Sequence, residues 1–368
     1  MNSKSKILEL ALAVPDHRID RKKLHLSVDI VFITLAAVIC GAETWGDIVR
    51  FGESKKEFLQ GILLLPEGIP SHDTFNRFFA GLKPGEFEKL FLSWVNELCE
   101  TIDGVVAIDG KTIRGSRKKG PKSAIHIVSA FACANNLILG QVKTDQKSNE
   151  ITAIPELLKA LDIEGCTVTI DAMGCQTKIA KSIIDKGANY LLAVKENQKE
   201  LHANIKDTFR CVAKENLISH TDLDMGHGRI ETRKCTVTSD LSELTKSDIW
   251  VNLKTLVKIE SMRHNKTTGI ESTEIRYYIS SEAPNPERIN NMVRSHWGIE
   301  NKVHWLLDVA FNEDKSRKRD GNAAENYSTV LRIALNLIKA ETTTKSSIKG
   351  KRLMAGWDND YLLKILGF

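Results

Sequence analysis

The spacing of apolar positions divides the chain into a helical first third and a strand-rich remainder. Ile30, Val31, Thr34, Leu35, Val38 and Ile39 recur at helical spacing and form a wide stripe. The surrounding stretch, Val28 to Gly41, is too short to span a bilayer and contains Asp29, so it reads as a buried core helix. Pro70-Ser71-His72-Asp73-Thr74-Phe75 supplies a Ser N-cap for a helix with Phe75, Phe78 and Phe79 inward and Arg77 outward. That helix is either the second of a helix-turn-helix or an ordinary member of a small bundle. Pro84-Gly85 interrupts the pattern, and one amphipathic helix follows, ending near Cys99.

From Val105 the texture changes to short β-branched runs. Val105–Asp109, Ala124–Cys133 and Leu137–Asp145 read as three consecutive strands, with a turn at Asn135-Asn136. A helix over Ile151–Leu161 follows, then a strand over Thr167–Asp171, a helix over Thr177–Asp185 closed by Gly187, and a strand over Tyr190–Val194. The order β-β-β-α-β-α-β predicts a mixed sheet with helices packed on it. The region from Lys195 to about Ser281 is less regular: a polar helix, then strands near Thr232–Val237, Leu256–Met262 and Ile275–Ile279, with a hairpin tip at residues 265–269. Asn285-Pro286-Glu287 is a strong helix start, with an N-cap Asn, Pro at the first helical position and an acid in the first turn. That helix is expected to reach about Val309, and another over Ala323–Lys339 closes the fold. The division predicted is a helical domain over 1–100 and an α/β domain over 101–368, with a β-rich insertion at about 197–283.

Composition narrows the picture little: 42% hydrophobic and 27% charged residues in 368 are ordinary for a globular protein. The net charge of +5 is modest, but its placement is informative. Residues 111–122 are strongly basic, Lys315-Ser-Arg-Lys-Arg319 is a second run, and a third lies near Lys345 to Arg352. Any one of these reads as solvated surface or as a phosphate contact. The first two flank candidate metal ligands, which points to a phosphate-rich partner. The seven cysteines are scattered with no CxxC pair, so neither a zinc site nor a disulfide framework is indicated. With no apolar leader at the start, a reducing cytoplasm is the expected compartment.

Three acids carry the chemistry. Asp109 and Asp171 terminate apolar strands, and Glu300 lies in the helical stripe Ile289, Val293, Trp297, Glu300, His304, Leu307. Each has a blander reading. Asp109-Gly110 can be a hairpin turn, Asp171 can cap the next helix, and Glu300 can pair with a core Arg or Lys. Asp308, Glu313 and Asp314 rival Glu300 as a third acid. If the first and fourth strands are neighbours, Asp109 and Asp171 emerge at one edge. With Glu300 they would form an oxygen-ligand site for divalent metal, able to hold two Mg²⁺ ions and to work without a covalent enzyme intermediate. Gly104 to Thr112 resembles a phosphate-binding P-loop, but its spacing is wrong and its loop is a β-branched strand.

The segments Gly-Ile-Pro-Ser-His-Asp-Thr-Phe (68–75), Ala-Ile-Asp-Gly-Lys-Thr-Ile-Arg-Gly-Ser (107–116), Lys-Ser-Asn-Glu-Ile (147–151), Thr-Ile-Asp-Ala-Met-Gly-Cys-Gln (169–176), Val-Lys-Glu-Asn-Gln (194–198), His-Gly-Arg-Ile-Glu-Thr-Arg (227–233) and His-Trp-Gly-Ile-Glu-Asn (296–301) carry a resemblance. In order and spacing the chain closely resembles the DDE-type transposases of bacterial insertion sequences, the H-repeat-associated group, over nearly its whole length. The resemblance implies an α/β, ribonuclease-H-like mixed sheet with flanking helices, a β-rich insertion and an all-helical, DNA-binding N-terminal domain. It implies Asp109, Asp171 and Glu300 as catalytic residues holding two Mg²⁺ or Mn²⁺ ions, and metal-dependent cleavage and strand transfer on double-stranded DNA, at element ends and target. It further implies a homodimer on DNA, no membrane partner, and a cytoplasmic protein that is nucleoid-associated when bound. Better-studied relatives carry a Tyr, an Arg and a Lys where this chain has Val293, His296 and Leu307. The candidate DNA contacts here are Lys111, Arg114, Arg117, Lys118, Lys119, Arg229, Arg233, His296, Lys315 and Arg317. Two alternatives stand beside this reading: a catalytically silent relic that only binds DNA, and a metal-dependent nuclease that does not transpose.

Overall fold

The computed structural model describes residues 5–20, 23–99, 101–117, 124–144, 150–226 and 228–368. Lys118, Lys119 and Lys122 of the basic run, His227, and residues 147–149 of one motif lie outside the described residues.

Six helices open the chain: α1 (Lys6–Ala13), α2 (Ser27–Ile39), α3 (Trp45–Ser54), α4 (Lys56–Gln60), α5 (His72–Gly81) and α6 (Pro84–Leu98). Local chemistry sets their starts. Thr44 and Asp47 form a reciprocal capping box on α3, Ser71 accepts the Thr74 N–H at the head of α5, and Pro84 occupies the first turn of α6. Every α2 residue from Asp29 to Ile39 is buried, so the expected stripe becomes an all-round apolar surface. Burial pushes the Asp29 carboxyl up to about 6. No helix among the described residues is long and apolar enough to cross a membrane.

The remainder runs β1 (Val105–Thr112), β2 (His126–Ala132), β3 (Leu137–Thr144), α7 (Glu150–Ala160), β4 (Thr167–Ile170), α8 (Thr177–Ile184), β5 (Asn189–Val194) and α9 (Lys199–Cys211). Four long strands follow, β6 (Ile218–Gly226), β7 (Arg229–Thr238), β8 (Thr255–Asn265) and β9 (Glu271–Ser280). The helices α10 (Pro286–Ile299), α11 (Trp305–Val309), α12 (Ala323–Ala340), α13 (Ile348–Trp357) and α14 (Asn359–Leu366) complete the chain. All nine described strands form one sheet in the order β3-β2-β1-β4-β5-β9-β8-β7-β6. β4 pairs parallel with both β1 and β5, while β2 and β3 are antiparallel, giving the expected ribonuclease-H-like half. The β-rich stretch continues that sheet through an antiparallel β5–β9 pairing. β6 escaped the periodicity because it is an edge strand with a polar sequence and mostly exposed side chains, so no apolar alternation marks it.

β1 outruns its expected end. Gly110, Lys111 and Thr112 pair with Val128, Ile127 and His126, so Asp109-Gly110 lies inside a strand and not in a hairpin turn. Alternation sends Val105, Asp109 and Lys111 to one face of the sheet and Gly110 to the other. α10 and α12 cover the first face, where Arg332 of α12 donates to Ser129, the β2 partner of Asp109. α7 covers the second, and there a Cβ on Gly110 would overlap the buried His126–Glu150 pair, whose Nε2–Oε1 distance is 2.6 Å.

A buried ionic group ties the loop after α11 to β1 and α12. Lys111 Nζ reaches Asp308 at 2.7 Å, Glu313 at 3.0 Å and Asp314 at 3.2 Å, and Arg332 reaches the other oxygen of Glu313 at 2.8 Å. Burial alone would raise the Glu313 carboxyl, but Arg332 and Lys111 outweigh it and hold it at about 2.

This packing sets two expectations for stability. Glu313→Gln leaves two buried cations undercompensated and should cost about 3–5 kcal/mol in chemical denaturation at neutral pH. Because the folded Glu313 value is depressed, its contribution is present above the ordinary value of 4.5 and drains away as pH falls toward about 2. An acid titration of the wild type should therefore lose stability over that window, and the Gln variant should lose less. Gly110→Ala should force the His126–Glu150 pair apart and destabilise by about 1–3 kcal/mol in the same assay.

Candidate active site

The β1–β4 register sets Ile108 opposite Ile170, so Asp109 and Asp171 are the next residues along two adjacent parallel strands. β1 continues past this point, whereas β4 stops and residues 172–174 turn away in a short 3₁₀ helix. Asp171 caps that turn: its Oδ1 accepts the N–H of Met173 at 2.9 Å and of Gly174 at 3.4 Å. The capping role is thus real and leaves the second carboxylate oxygen without a backbone donor. The turn is buttressed by Asn197, which donates to the Ala172 carbonyl at 2.6 Å, and by Gln198, which donates to the Cys175 carbonyl at 2.8 Å. In the sequence, 194–198 stands out only as a matching motif. The signal for its bracing role is a pair of amides, Asn197-Gln198, separated by two residues from the end of a buried strand.

α10 starts as expected, with Asn285 accepting the Arg288 N–H and Pro286 in the first turn. At Glu300 the hydrogen-bond pattern widens to a π-type turn over Glu300–His304 before α11 resumes, and the helical path ends at Val309 as predicted. Single π-turns inside α-helices recur at functional sites. Here the turn includes both Glu300 and His304, and among the described residues no Arg or Lys forms a salt bridge with Glu300. His304 Nδ1 instead lies 3.1 Å from Glu300 Oε2 and 3.6 Å from Asp109 Oδ2. His304 was legible only as an ionisable position in the helical stripe. Trp297, expected in that stripe, is 43% exposed, with the Arg276 guanidinium 4.9 Å above its ring.

Asp109, Asp171 and Glu300 all border one cavity of about 270 Å³, whose walls include Lys195, Arg276, His296 and Trp297. Burial raises the Asp109 carboxyl to about 6; His304 opposes that shift and Asp171 adds to it. The hydrogen bond from His304 pulls the Glu300 carboxyl below its ordinary value. Burial lowers His296, whose Nδ1 lies 3.0 Å from the Thr169 hydroxyl. Asp109, Glu300 and His304 each offer a ligand atom within 4.8 Å of the others, and Asp171 stands outside that trio on the same cavity wall. Carboxylate oxygens around a solvent-open cavity suit a hard divalent cation. The rival acids Asp308, Glu313 and Asp314 are gathered around Lys111 instead.

The candidate DNA contacts fall into distinct environments. Lys111 is buried, and its ammonium is held by three carboxylates. Arg114, Arg117, Lys315 and Arg317 are exposed. Their two loops are laid together: Arg114 N–H donates to Asp314, Arg319 donates to the Gly115 carbonyl at 2.8 Å, and Gly115 sits where a Cβ would meet the Ser316 carbonyl. Arg233 is paired with Glu231 at 2.6 Å, while Arg229 is half exposed and 3.9 Å from the same acid.

Comparison with known proteins matches this architecture. Residues 100–337 fit the family model described as the transposase DDE domain, and residues 9–95 fit the model of the region associated with it. A protein named "Putative transposase YncI" from Escherichia coli O157:H7 is 43% identical over 98% of this chain and 94% of its own length. Another, "H repeat-associated putative transposase YhhI" from Escherichia coli K12, is 40% identical over 98% of this chain and 97% of its own. Among solved structures, a piggyBac transposase synaptic complex with hairpin DNA aligns over 99% of this chain and 76% of that one, at 12% identity and a TM-score of 0.44. With both halves of the chain matched and full-length relatives at this identity, the chain belongs to the DDE-domain transposase family.

Proposed function

We propose that this chain is a transposase that cleaves DNA at the ends of its element and joins the 3′-hydroxyls to target DNA, with Asp109, Asp171 and Glu300 holding two Mg²⁺ or Mn²⁺ ions. The observation that supports this most is the meeting of three carboxylates, from β1, from the end of β4 and from the end of α10, around one open cavity. The donor set fits such ions, being hard oxygen ligands with room left for substrate phosphate. When bound, paired divalent ions neutralise charge on the attacking and leaving oxygens of a phosphodiester. The protein's own residues orient the carboxylates: backbone N–H groups hold Asp171, and the strand pairing of β1 holds Asp109.

DNA is assigned to the exposed basic residues of the adjoining loops 114–117 and 315–317. Arg114, Arg117, Lys315 and Arg317 carry it, with Lys118 and Lys119 continuing the same basic run in sequence, Arg229 and Arg233 contributing from β7, and His296 from the cavity wall on α10. Lys111 is given the separate task of holding the acidic loop. The helical residues 1–100 form the DNA-binding associated domain in this reading, and 101–368 the catalytic one with its insertion at 197–283. A homodimer on paired ends, acting on the nucleoid in the cytoplasm, completes the proposal.

Strand cleavage and joining on end-containing duplexes with Mg²⁺ or Mn²⁺ test the reading directly. Asp109→Asn and Glu300→Gln should each lower the cleavage rate on the order of 10²–10³-fold or more, as losing a preorganised charge partner does. Full activity in either variant would defeat the triad. Binding without cleavage by the wild type would mark a silent relic, and cutting without joining a plain nuclease. In filter-binding or anisotropy assays, replacing Arg117, Lys315 and Arg317 by Ala should weaken binding to all sequences. Each of these side chains that grips a phosphate should, once truncated, lower the salt slope by about one.

A further inference from the structure

Asp171 and Glu300 are held in different ways. Asp171 is short, sits at a strand end and has one oxygen clamped by two backbone N–H groups. Glu300 is long, its side chain is 53% exposed, and among the described residues its hydrogen-bond partner is His304. A freely rotating Glu would lose rotamer entropy on binding an ion, and it also lies near Asp109, which repels it. Something must hold it toward Asp109 before any ion arrives.

We propose that His304 is the positioning residue that holds Glu300 beside Asp109, with its proton on Nδ1 as a donor to Glu300, and that it is not itself a ligand. The inference rests on the carboxylate site proposed above and names the residue that preorganises it. The ring is 4% exposed, and Nδ1 lies 3.1 Å from Glu300 Oε2 and 3.6 Å from Asp109 Oδ2. Its other nitrogen, Nε2, is buried with no hydrogen-bond partner among the described residues. That orphan favours the donor role, because a buried unpaired N–H is costlier than a buried lone pair. A metal-bound Nδ1 must be bare, which moves the ring proton to Nε2 and buries an N–H with no acceptor. Imidazoles that bind metal almost always donate the second N–H to a carboxylate, carbonyl or water. As a donor through Nδ1, His304 leaves only a lone pair at the buried Nε2. The π-type turn over Glu300–His304 places the two side chains within this bond.

The test measures Mn²⁺ and Mg²⁺ affinity of the full chain by calorimetry, with the Mn²⁺ EPR spectrum recorded alongside. His304→Ala should weaken both ions alike, by about 10–100-fold. His304→Asn, whose amide can donate from a similar place, should recover most of that loss. A merely structural role predicts no such rescue, because Asn restores the donor without restoring the ring's packing. Unchanged affinity in His304→Ala would overturn the inference. So would a loss much larger for Mn²⁺ than for Mg²⁺ with nitrogen coupling in the wild-type spectrum, which would make His304 a ligand. If His304→Ala does not fold, His304→Asn decides: near-wild-type affinity without nitrogen coupling supports the positioning role, and lost affinity defeats it. Asp109→Asn is the parallel control. Retained ion binding there would sink the carboxylate site itself, whereas lost binding there with insensitive His304 variants sinks this inference alone.

Discussion

A one-residue slip between β1 and β4 would turn either Asp109 or Asp171 to the opposite face of the sheet, because side chains alternate along a strand. The observed register, with Ile108 opposite Ile170, keeps the two acids adjacent and on the side covered by α10. Burial of both strands enforces it. Val106, Ala107, Ile108 and Val168 are fully buried, and any slip would expose some of them to polar surroundings. The apolar core and the acidic site are therefore set by the same pairing. Glu300 then needs only to arrive over that edge, which the path of α10 across β1 ensures.

The second constraint is the disposal of charge around β1. Asp109 and Lys111 point to the same face two residues apart, yet they serve different ends. Lys111 collects Asp308, Glu313 and Asp314, which removes three competing acids from the neighbourhood of the cavity. The same interactions fasten the loop after α11 against the 114–117 segment and, through Glu313 and Arg332, against α12. Two basic runs far apart in the chain are thereby set side by side at the surface. A buried ion group of this kind is costly unless fully paired, and its pairing here is close to complete.

Backbone irregularity concentrates where the acids are. β4 ends one residue before Asp171 and passes into a 3₁₀ turn. α10 widens into a π-type turn at Glu300. Both departures fall at a carboxylate, and both are braced by side chains: Asn197 and Gln198 at the first, His304 at the second.

The helical first third, the mixed sheet and the acids that follow apolar runs were legible in the sequence, because each rests on local periodicity or a local capping pattern; that β1 continues past Asp109 was not. Asn285 and Ser71 began their helices as their side-chain chemistry dictates. What the chain could not declare is who neutralises whom. Lys111 belongs to a basic run and reads as a surface cation, but its partner Glu313 lies 202 residues away and only folding brings it there. Trp297 fits an apolar stripe and nevertheless lines the cavity half exposed, with the Arg276 guanidinium over its ring. β6 has no apolar alternation to read, because an edge strand is held by backbone pairing and not by burial. Local pattern decided which segments are helix or strand; long-range pairing of charge and backbone decided which acids face each other.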